Sequence, residues 1–388
     1  MNDPAAAALL PAGFMDVLPP FAAFEARTVE RLIAHFATYG YERVKPPLVE
    51  FEETMLAGSG AALAAETFRL MDPVSRRMLA LRPDMTMQVA RIASSRLAHW
   101  PRPLRLGYAG QVVRVRGSQL RPERQFGQVG AEIVGSESAA ADVEMIVMAT
   151  SALAEMGVAG LTVDLGMPNL VPAILASSSP RDDPDRARLR LALDRKDAAT
   201  INAMAPALGE RTAKLLSALV TSSGRAEPAL ATLSKLDLPP GAAAERARLI
   251  AVHDGLRASA PTLTLTIDAV ENRGFEYHTG VTFAIFAAAA AELGRGGRYR
   301  TEADEPATGV TLFMDEVLRA LPRPEPHRRI LLGADTPIEV ASALRRQGWV
   351  AVTSFDTDVD LVVEAARLRC SHVIVDGEAR RTGASGGS

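Results

Sequence analysis

Cysteine, net charge and long apolar runs are all scarce in this sequence. Cys370 is the only cysteine among 388 residues, which excludes an intrachain disulfide and a zinc site built from several thiolates. The formal net charge is -3, which disfavours a nucleic-acid partner, because dedicated nucleic-acid binders are usually basic. No apolar run approaches the ~18 residues of a membrane span, and the N-terminus carries no basic leader. We therefore expect a cytoplasmic globular protein that needs no membrane, metal or cofactor.

The hydrophobic pattern of the first half predicts helices and antiparallel strands. From Phe21 to Tyr39, apolar residues recur at helical spacing, and Gly40 follows as a stop signal. A short strand with prolines at its middle is predicted over residues 41–53, and a helix is predicted to open at Pro83-Asp84. Residues 104–116 and 125–135 alternate with period two, which is typical of half-buried antiparallel strands.

One strand of this pair carries polar residues where a core strand would be apolar. Alternation places Phe126, Gln128, Gly130 and Glu132 on the same face. Polar side chains separated by glycines are more typical of the floor of a ligand-binding site than of a packed core. The sequence therefore predicts a binding site on this sheet face.

The second half divides into an insertion, a return of strands and a small terminal unit. Residues from about 170 to 261 have broken helical periodicity and are interpreted as a helical insertion, after which strands resume at 263–271 and 279–287. The segment PRPEP (322–326) is the clearest linker. We expect one domain over 1–325 and a small α/β unit over 326–388, whose polar tail from Arg380 onward is predicted to be disordered.

Four segments in this order resemble histidyl-tRNA synthetase, a class II aminoacyl-tRNA synthetase. They are LRPDMT (81–86), GQVVRVR with QFGQVGAE, ENRGFEYHTG (271–280), and GRGGRY followed by PATGV. GYERVKPPLVE resembles motif 1 of that family, with Pro47 at the motif proline, and Arg114 falls on the motif 2 arginine. The resemblance covers residues 11 to 321. It implies an α+β fold, an antiparallel sheet flanked by helices, and a homodimer formed through motif 1.

The resemblance also implies a pocket for histidine. Asp84 would accept from the ammonium with Thr86 and Gln128 beside it, and Arg273 would hold the carboxylate. Glu132 would accept from the imidazole N–H, because an unmatched buried polar group is costly and so rejects apolar amino acids. The predicted histidine-binding residues are Asp84, Thr86, Arg114, Gln128, Glu132, Arg273, Tyr277 and His278. His278 stands where the synthetases usually have tyrosine.

Each of these residues also has a simpler structural interpretation. Asp84 could cap the helix that follows it, and Arg114 could be a solvated sheet arginine. Gln128 and Glu132 could face solvent, and the glycines at 294, 296 and 297 could form a flexible loop. Only the ordered set favours the pocket.

The sequence departs from the synthetase pattern on the nucleotide side. Glu316 stands where motif 3 has the arginine that holds ATP phosphates, and Arg116 replaces the motif 2 glutamate. A carboxylate would repel the triphosphate, because like charges interact strongly at low dielectric. The terminal α/β unit is also too short for a full anticodon-binding domain. These losses predict that no catalytic residues for aminoacylation remain.

That pattern of losses resembles the ATP phosphoribosyltransferase regulatory subunits, a paralogous family. The resemblance implies a hetero-oligomer with the short catalytic subunit, activation of that subunit, and feedback inhibition by histidine in the first step of histidine biosynthesis. The glycine-rich loop at Gly294–Gly297 and the motif 2 loop at 118–123 would be the moving parts. Three alternatives stay open: a working histidyl-tRNA synthetase, a stand-alone histidine sensor with another partner, and a synthetase-like enzyme that acts on a different amino acid.

Overall fold

The computed structural model describes residues 9–117, 121–176, 183–271, 277–288, 292–324, 327–375 and 378–382. Contacts divide the chain into a large unit, Met1–Pro322, and a small unit, Arg323–Ser388. Each unit has its own sheet and its own core, so the two are described separately.

The large unit is built on a mixed sheet whose strands come from both halves of the chain. Within the described residues its strand order is β1-β5-β6-β12-β11-β10-β7-β9-β8, and β2-β4-β3 form a second, smaller sheet. The strands are β1 Glu42–Arg43, β2 Val49–Phe51, β3 Arg69–Met71, β4 Met78–Leu81, β5 Leu104–Val113, β6 Gln125–Val134, β7 Thr162–Gly166, β8 Gly224–Arg225, β9 Thr264–Asp268, β10 His278–Phe286, β11 Glu292–Arg300 and β12 Pro306–Phe313.

Helices cover both faces of the large sheet and fill the predicted insertion. They are α1 Phe21–Thr38, α2 Glu52–Met55, α3 Thr86–Ser94, α4 Ala139–Glu155, α5 Leu170–Leu175, α6 Asp183–Asp194, α7 Ala198–Ala203, α8 Ala205–Leu208, α9 Glu210–Thr221, α10 Ala226–Leu233, α11 Pro240–Ser259 and α12 Met314–Ala320, with a 3-10 helix over Gly58–Glu66. The helices α5 to α11 lie within residues 170–261, where the broken periodicity predicts helices.

Two hydrophobic clusters hold this unit together. On one sheet face, α1 and α4 pack their apolar sides against the strands, and Leu32 and Phe36 are fully buried one helical turn apart. Each such side chain contributes about 2 kcal/mol through the apolar area that it removes from water. On the other face, Met85 and Val89 pack on Leu106 and neighbouring strand residues. That second, smaller cluster positions the start of α3 over β5 and β6.

The α+β fold with helices flanking a mainly antiparallel sheet is confirmed. The neighbouring pairs β5–β6, β6–β12, β12–β11 and β11–β10 are all antiparallel. The predicted strand over residues 41–53 is instead two short strands in different sheets, β1 and β2. Pro46 and Pro47 lie between them, and proline cannot donate to a sheet ladder.

The prediction of a flexible glycine-rich loop at Gly294–Gly297 is wrong. These residues belong to β11, which pairs along its length with β10 on one side and β12 on the other. Glycine disfavours a strand by its intrinsic propensity, but hydrogen bonding on both edges overrides that preference here. This segment is therefore an interior strand and does not supply the expected moving loop.

The small unit is an α/β sheet with one helix on each face. Its strands are β13 Arg329–Leu332, β14 Val350–Thr353, β15 His372–Val375 and β16 Glu378–Arg381, in the order β14-β13-β15-β16. Helix α13 (Ile338–Arg346) packs on Ile330 and Leu332, and α14 (Leu361–Arg367) packs on Leu331 and Val373.

The expectation of a disordered tail from Arg380 is wrong at its first residues. Arg380 and Arg381 lie in β16, whose backbone pairs antiparallel with β15. A polar, arginine-containing segment suits an edge strand, where side chains reach solvent. Residues 383–388 lie outside the described part of the chain.

The described helices include none that could cross a membrane, since each is too short or too polar for that role.

Candidate ligand-binding site

The start of α3 brings the first predicted site residues together. Asp84 Oδ1 accepts the backbone N–H of Thr86 at 2.8 Å, and Asp84 Oδ2 accepts from Gln128 Nε2 at 2.8 Å. Gln128 Oε1 in turn accepts the backbone N–H of Met85 at 3.1 Å. The N-cap residue of α3 is Met85, so Asp84 orders the backbone just before the helix and also faces β6. A carboxylate has about four lone-pair positions, which leaves acceptor capacity for a cation.

Glu132 is the most deeply buried acid of the site, with 1% exposure. Its Oε1 accepts the O–H of Tyr108 at 3.2 Å, and its Oε2 accepts the O–H of Tyr299 at 3.0 Å. Burial raises the pKa of Glu132 to about 8, although these two O–H donors lower it. At neutral pH the carboxyl group therefore holds a proton, and it can donate one hydrogen bond as well as accept others. A neutral imidazole, with one N–H and one bare nitrogen, has the complementary pattern.

Two glycines make room for this arrangement on the sheet. A Cβ atom at Gly309 would lie 1.7 Å from Glu132 Oε2, and a Cβ atom at Gly130 would lie 2.3 Å from Cζ of Tyr108. Either contact is far inside van der Waals distance, so a side chain at either position would displace the acid or the phenol. The glycines of β6 and β12 are thus part of the site.

An aromatic wall continues from Glu132 toward the beginning of β10. Tyr277 lies edge-on to Tyr299, with ring centroids 6.1 Å apart, and is 4.0 Å from the ring of His278. His278 is 5% exposed and pairs with Tyr299 in the sheet register. The structure therefore places Tyr277 and His278 beside the Glu132 group. Arg273, the predicted carboxylate ligand, lies outside the described residues.

Arg114 lies at the border between the acid cluster and the predicted nucleotide side. Its Nε donates to the backbone oxygen of Pro83 at 3.2 Å, and its Nη1 is 3.3 Å from Glu66 Oε2. The motif 2 arginine is thus already paired with a carboxylate of the same chain. Arg116, two residues further, is exposed to solvent.

Further arginines on this side are also paired with the chain's own acids. Arg319 Nη1 donates to Glu316 Oε1 at 2.8 Å, and Arg319 Nη2 donates to Glu123 Oε1 at 3.0 Å. Arg121 is 3.2 Å from Glu292 Oε2, and its guanidinium stacks over a phenylalanine ring. We call this set of pairs, together with Arg114–Glu66, the nucleotide-side network. Of the predicted motif 2 loop, residues 118–120 lie outside the described part.

The sequence interpretation missed three residues of the acid cluster. Tyr108 and Tyr299 hold Glu132, and Thr311 Oγ1 is 2.9 Å from the O–H of Tyr108. Tyr108 stands directly opposite Gly130 in the register of β5 and β6. A tyrosine paired with a strand glycine was the available signal, since glycine in a strand often marks a close approach. Thr311 and Tyr299 carried no such signal, because neither of their strands, β12 and β11, was predicted.

Comparisons with known proteins identify the family of this chain. A sequence profile described as histidyl-tRNA synthetase matches residues 13–317. A protein of Paramagnetospirillum magneticum named ATP phosphoribosyltransferase regulatory subunit is 55% identical, covering 96% of this chain and 97% of its own. A protein of the same name from Rhodospirillum rubrum is 48% identical, covering 96% of each chain. The chain belongs to the family of ATP phosphoribosyltransferase regulatory subunits.

Solved structures place this regulatory-subunit family on the synthetase fold. An ATP phosphoribosyltransferase regulatory subunit/histidyl-tRNA synthetase from Bacillus halodurans C superposes with a TM-score of 0.82 at 26% identity, covering 96% of this chain and 99% of its own. A histidyl-tRNA synthetase from Nostoc sp. PCC 7120 has a TM-score of 0.73 at 18% identity, covering 96% and 91%. The second likeness shows the fold alone.

Proposed function

We propose that this chain is the regulatory subunit of ATP phosphoribosyltransferase. In this role it assembles with the short catalytic subunit, is required for the first step of histidine biosynthesis, and carries feedback inhibition by histidine without any aminoacylation of its own. The observation that carries the proposal is the contrast within one site. An ordered acid cluster suited to histidine lies beside arginines that the chain's own carboxylates have already neutralised.

The acid cluster supports histidine as the ligand. The ammonium group would bind Asp84, with Gln128 and Thr86 as neighbours, and the imidazole ring would bind Glu132. Tyr277 and His278 would form the wall beside the ring. Arg114 and Arg273 would complete the site on the carboxylate side. A ligand without a ring N–H and ring nitrogen would leave Glu132 unmatched, at a cost of about 1–3 kcal/mol.

The nucleotide-side network supports the loss of ATP activation. Phosphoryl groups are held mainly by unpaired cationic groups and metal ions. Here Glu66, Glu123, Glu292 and Glu316 pair with the arginines that would meet a triphosphate. ATP would have to displace these internal ion pairs and would then meet the released carboxylates. We infer that the site binds its amino acid but does not activate it with ATP.

Exposed apolar residues support a homodimer through the motif 1 region. Large side chains lie exposed on and near the three-stranded sheet and on the N-terminal segment up to the first residue of α1: Met15, Val17, Leu18, Phe21, Leu48, Leu70, Met71, Val74 and Met78. A concentration of exposed large apolar side chains is typical of an interaction site. Feedback then requires that histidine bind one state of the assembly more tightly than another, and a coupling of about 1–3 kcal/mol is typical.

The proposal is tested by mixing the purified chain with the short catalytic subunit and measuring ATP phosphoribosyltransferase rate with and without histidine. We expect activation by the chain and inhibition by histidine. Calorimetry should show histidine binding and no ATP binding, and histidine-dependent exchange of pyrophosphate into ATP should be absent. Measurable exchange would establish a working synthetase instead. Histidine binding without any effect on the catalytic subunit would point to a sensor with another partner.

A further inference from the structure

The small unit has two chemically opposite edges. Strands β13, β14 and β15 are parallel, so their carboxyl ends lie at one edge. Each helix runs back across the sheet, so α13 and α14 begin at that same edge. In open parallel sheets, crevices outside the carboxyl ends are where binding surfaces commonly form, above all where strand order reverses. Here the order reverses at β13, which has β14 on one side and β15 on the other.

Exposed apolar side chains collect at this carboxyl edge. Among the described residues of the small unit, every large hydrophobic side chain that is strongly exposed belongs to the loops and first helical turns there: Ile338, Val340, Phe355, Val362 and Val363. Phe355 is fully exposed. A phenylalanine ring left in water loses the stabilisation that burial of its apolar area would give. Its exposure therefore indicates a role other than folding.

The turn that carries Phe355 is well ordered by hydrogen bonds. Ser354 N donates to Leu332 O at 2.8 Å, and Ser354 Oγ accepts the backbone N–H of Asp356 at 3.2 Å. Ser354 itself is buried, with 2% exposure. The ring is therefore held out from the sheet by a fixed backbone, which lowers the entropic cost of inserting it into a partner.

Carboxylates surround this apolar surface without cationic partners. Five exposed acids lie in the same loops and helix starts: Asp335, Glu339, Asp356, Asp358 and Asp360. Within the described residues none of them forms an ion pair, and the loop segments 333–340 and 354–363 contain no lysine or arginine. The opposite edge is basic, with Arg328, Arg329, Arg345, Arg346, Arg367, Arg369 and Arg381. We call the first surface the acidic apolar edge.

We propose that the acidic apolar edge docks a basic segment of the short catalytic subunit, with Phe355 as its apolar anchor. This inference rests on the proposed function for the identity of the partner. The charge of this edge determines the partner, because five carboxylates that lack cationic partners can be buried favourably only against lysine or arginine side chains. Asp356 and Asp360 accept backbone N–H groups, but these donors do not neutralise their charge. A second copy of this chain fits less well. Its basic edge presents no strongly exposed large hydrophobic residue, within the described residues, to receive the aromatic ring.

The test measures binding of the full-length chain to the purified catalytic subunit. Phe355→Ser removes only an exposed side chain, so the thermal midpoint should be unchanged, whereas the dissociation constant should rise at least tenfold. The double variant Asp335→Lys/Asp358→Lys should also weaken binding at least tenfold, mainly through a slower association rate, and should flatten the salt dependence.

Arg346→Glu is the matched control on the opposite edge of the same unit. If net charge alone governed association, added negative charge there would tighten binding; we expect no change. Equal binding by wild type and Phe355→Ser would overturn the inference and leave the proposed function standing. Failure of the wild-type chain to bind the catalytic subunit would overturn the proposed function itself. Self-association of the wild type that Phe355→Ser abolishes would show that the occupant is a second copy.

Discussion

The acid cluster around Glu132 and the nucleotide-side network lie side by side, but they differ in the partners of their ionisable groups. In the cluster, Glu132 is buried among neutral O–H donors and keeps a raised pKa. In the network, each arginine already contacts a carboxylate, as Arg319 does with Glu316. Groups that remain ready for a ligand are thus separated from groups that the protein has paired internally. Under the proposed function, this pairing is how a two-substrate site would lose its nucleotide half while its amino-acid half kept its geometry.

The largest effect is expected from Gly309→Ala, which adds a methyl group on β12 next to the acid cluster. The added methyl would lie 1.7 Å from Glu132 Oε2, so Glu132 must leave its place. We expect the free energy of unfolding to fall by about 3 kcal/mol, as in other overpacked cores, and histidine binding to be lost. Chemical denaturation and calorimetry measure the two effects.

Gly241→Ala provides the control for this change. Its added methyl would meet only Ala173 Cβ at an ordinary 3.7 Å, within α11. Alanine favours a helix over glycine by up to about 1 kcal/mol, so stability should be kept or slightly increased. Unchanged histidine binding in Gly309→Ala would contradict the placement of the site.

Glu132→Gln tests the cluster with a side chain of nearly the same shape. Both oxygens of Glu132 accept a phenol O–H, whereas the NH2 group of glutamine cannot accept, so one phenol must reorient and the site is disturbed. We expect histidine affinity to fall about 100-fold, which corresponds to roughly 2.7 kcal/mol. Glu144→Gln is the matched control, because Glu144 accepts from Tyr41 and Arg105 on the opposite sheet face. If both variants bind histidine equally well by calorimetry, Glu132 does not recognise the ring.

The pH dependence of stability gives a second measure of the same carboxyl group. The folded pKa of Glu132 is about 8, above the ordinary 4.5, so between pH 5 and 8 the folded chain holds a proton that the unfolded chain has lost. This group therefore makes the free energy of unfolding fall as pH rises, by about 1.4 kcal/mol per pH unit. Urea denaturation at several pH values should show that the free energy of unfolding falls less steeply with pH in Glu132→Gln than in the wild type, by this amount. Glu144→Gln should keep the slope, because its arginine contact lowers the pKa of Glu144.

Glu316→Gln tests the network and should have the smallest effect. Losing the charged contact to Arg319, which is half-exposed, should lower the free energy of unfolding by about 1 kcal/mol. Histidine affinity should stay within about twofold of wild type. ATP should still fail to bind in calorimetry, because Glu123 still pairs with Arg319, and Glu66 and Glu292 still pair with Arg114 and Arg121. A gain of ATP binding would show that Glu316 alone had closed the nucleotide side.

Periodicity predicted the long elements well and the site only in part. The helix from Phe21 and the strands around residues 104–113 and 125–134 follow directly from spacing, since each buries one face. Gln128 and Glu132 could be assigned to one face for the same reason. Strand β11 was missed because glycine-rich sequence resembles a loop, and its strand character depends on pairing with both neighbours.

What periodicity could not supply is the partner of each buried polar group. The two phenols that hold Glu132 come from strands far apart in the chain, and no local pattern connects them. Likewise, the sequence showed Glu316 as a replacement for an arginine but could not show that Arg319 would pair with it. Such contacts depend on tertiary packing.

The hydrogen-bonded pair of Tyr108 and Thr311 joins residues 203 positions apart, with the whole helical insertion between them. During synthesis, the first half of the chain must therefore wait for β11 and β12 before Glu132 gains its second phenol. Contacts of such long sequence separation form late, because their loop-closure entropy is large. A truncated or half-made chain would accordingly lack the binding site altogether. Under the proposed function, histidine would therefore stabilise only completely folded chains, and protection from proteolysis by histidine would measure the fraction of such chains.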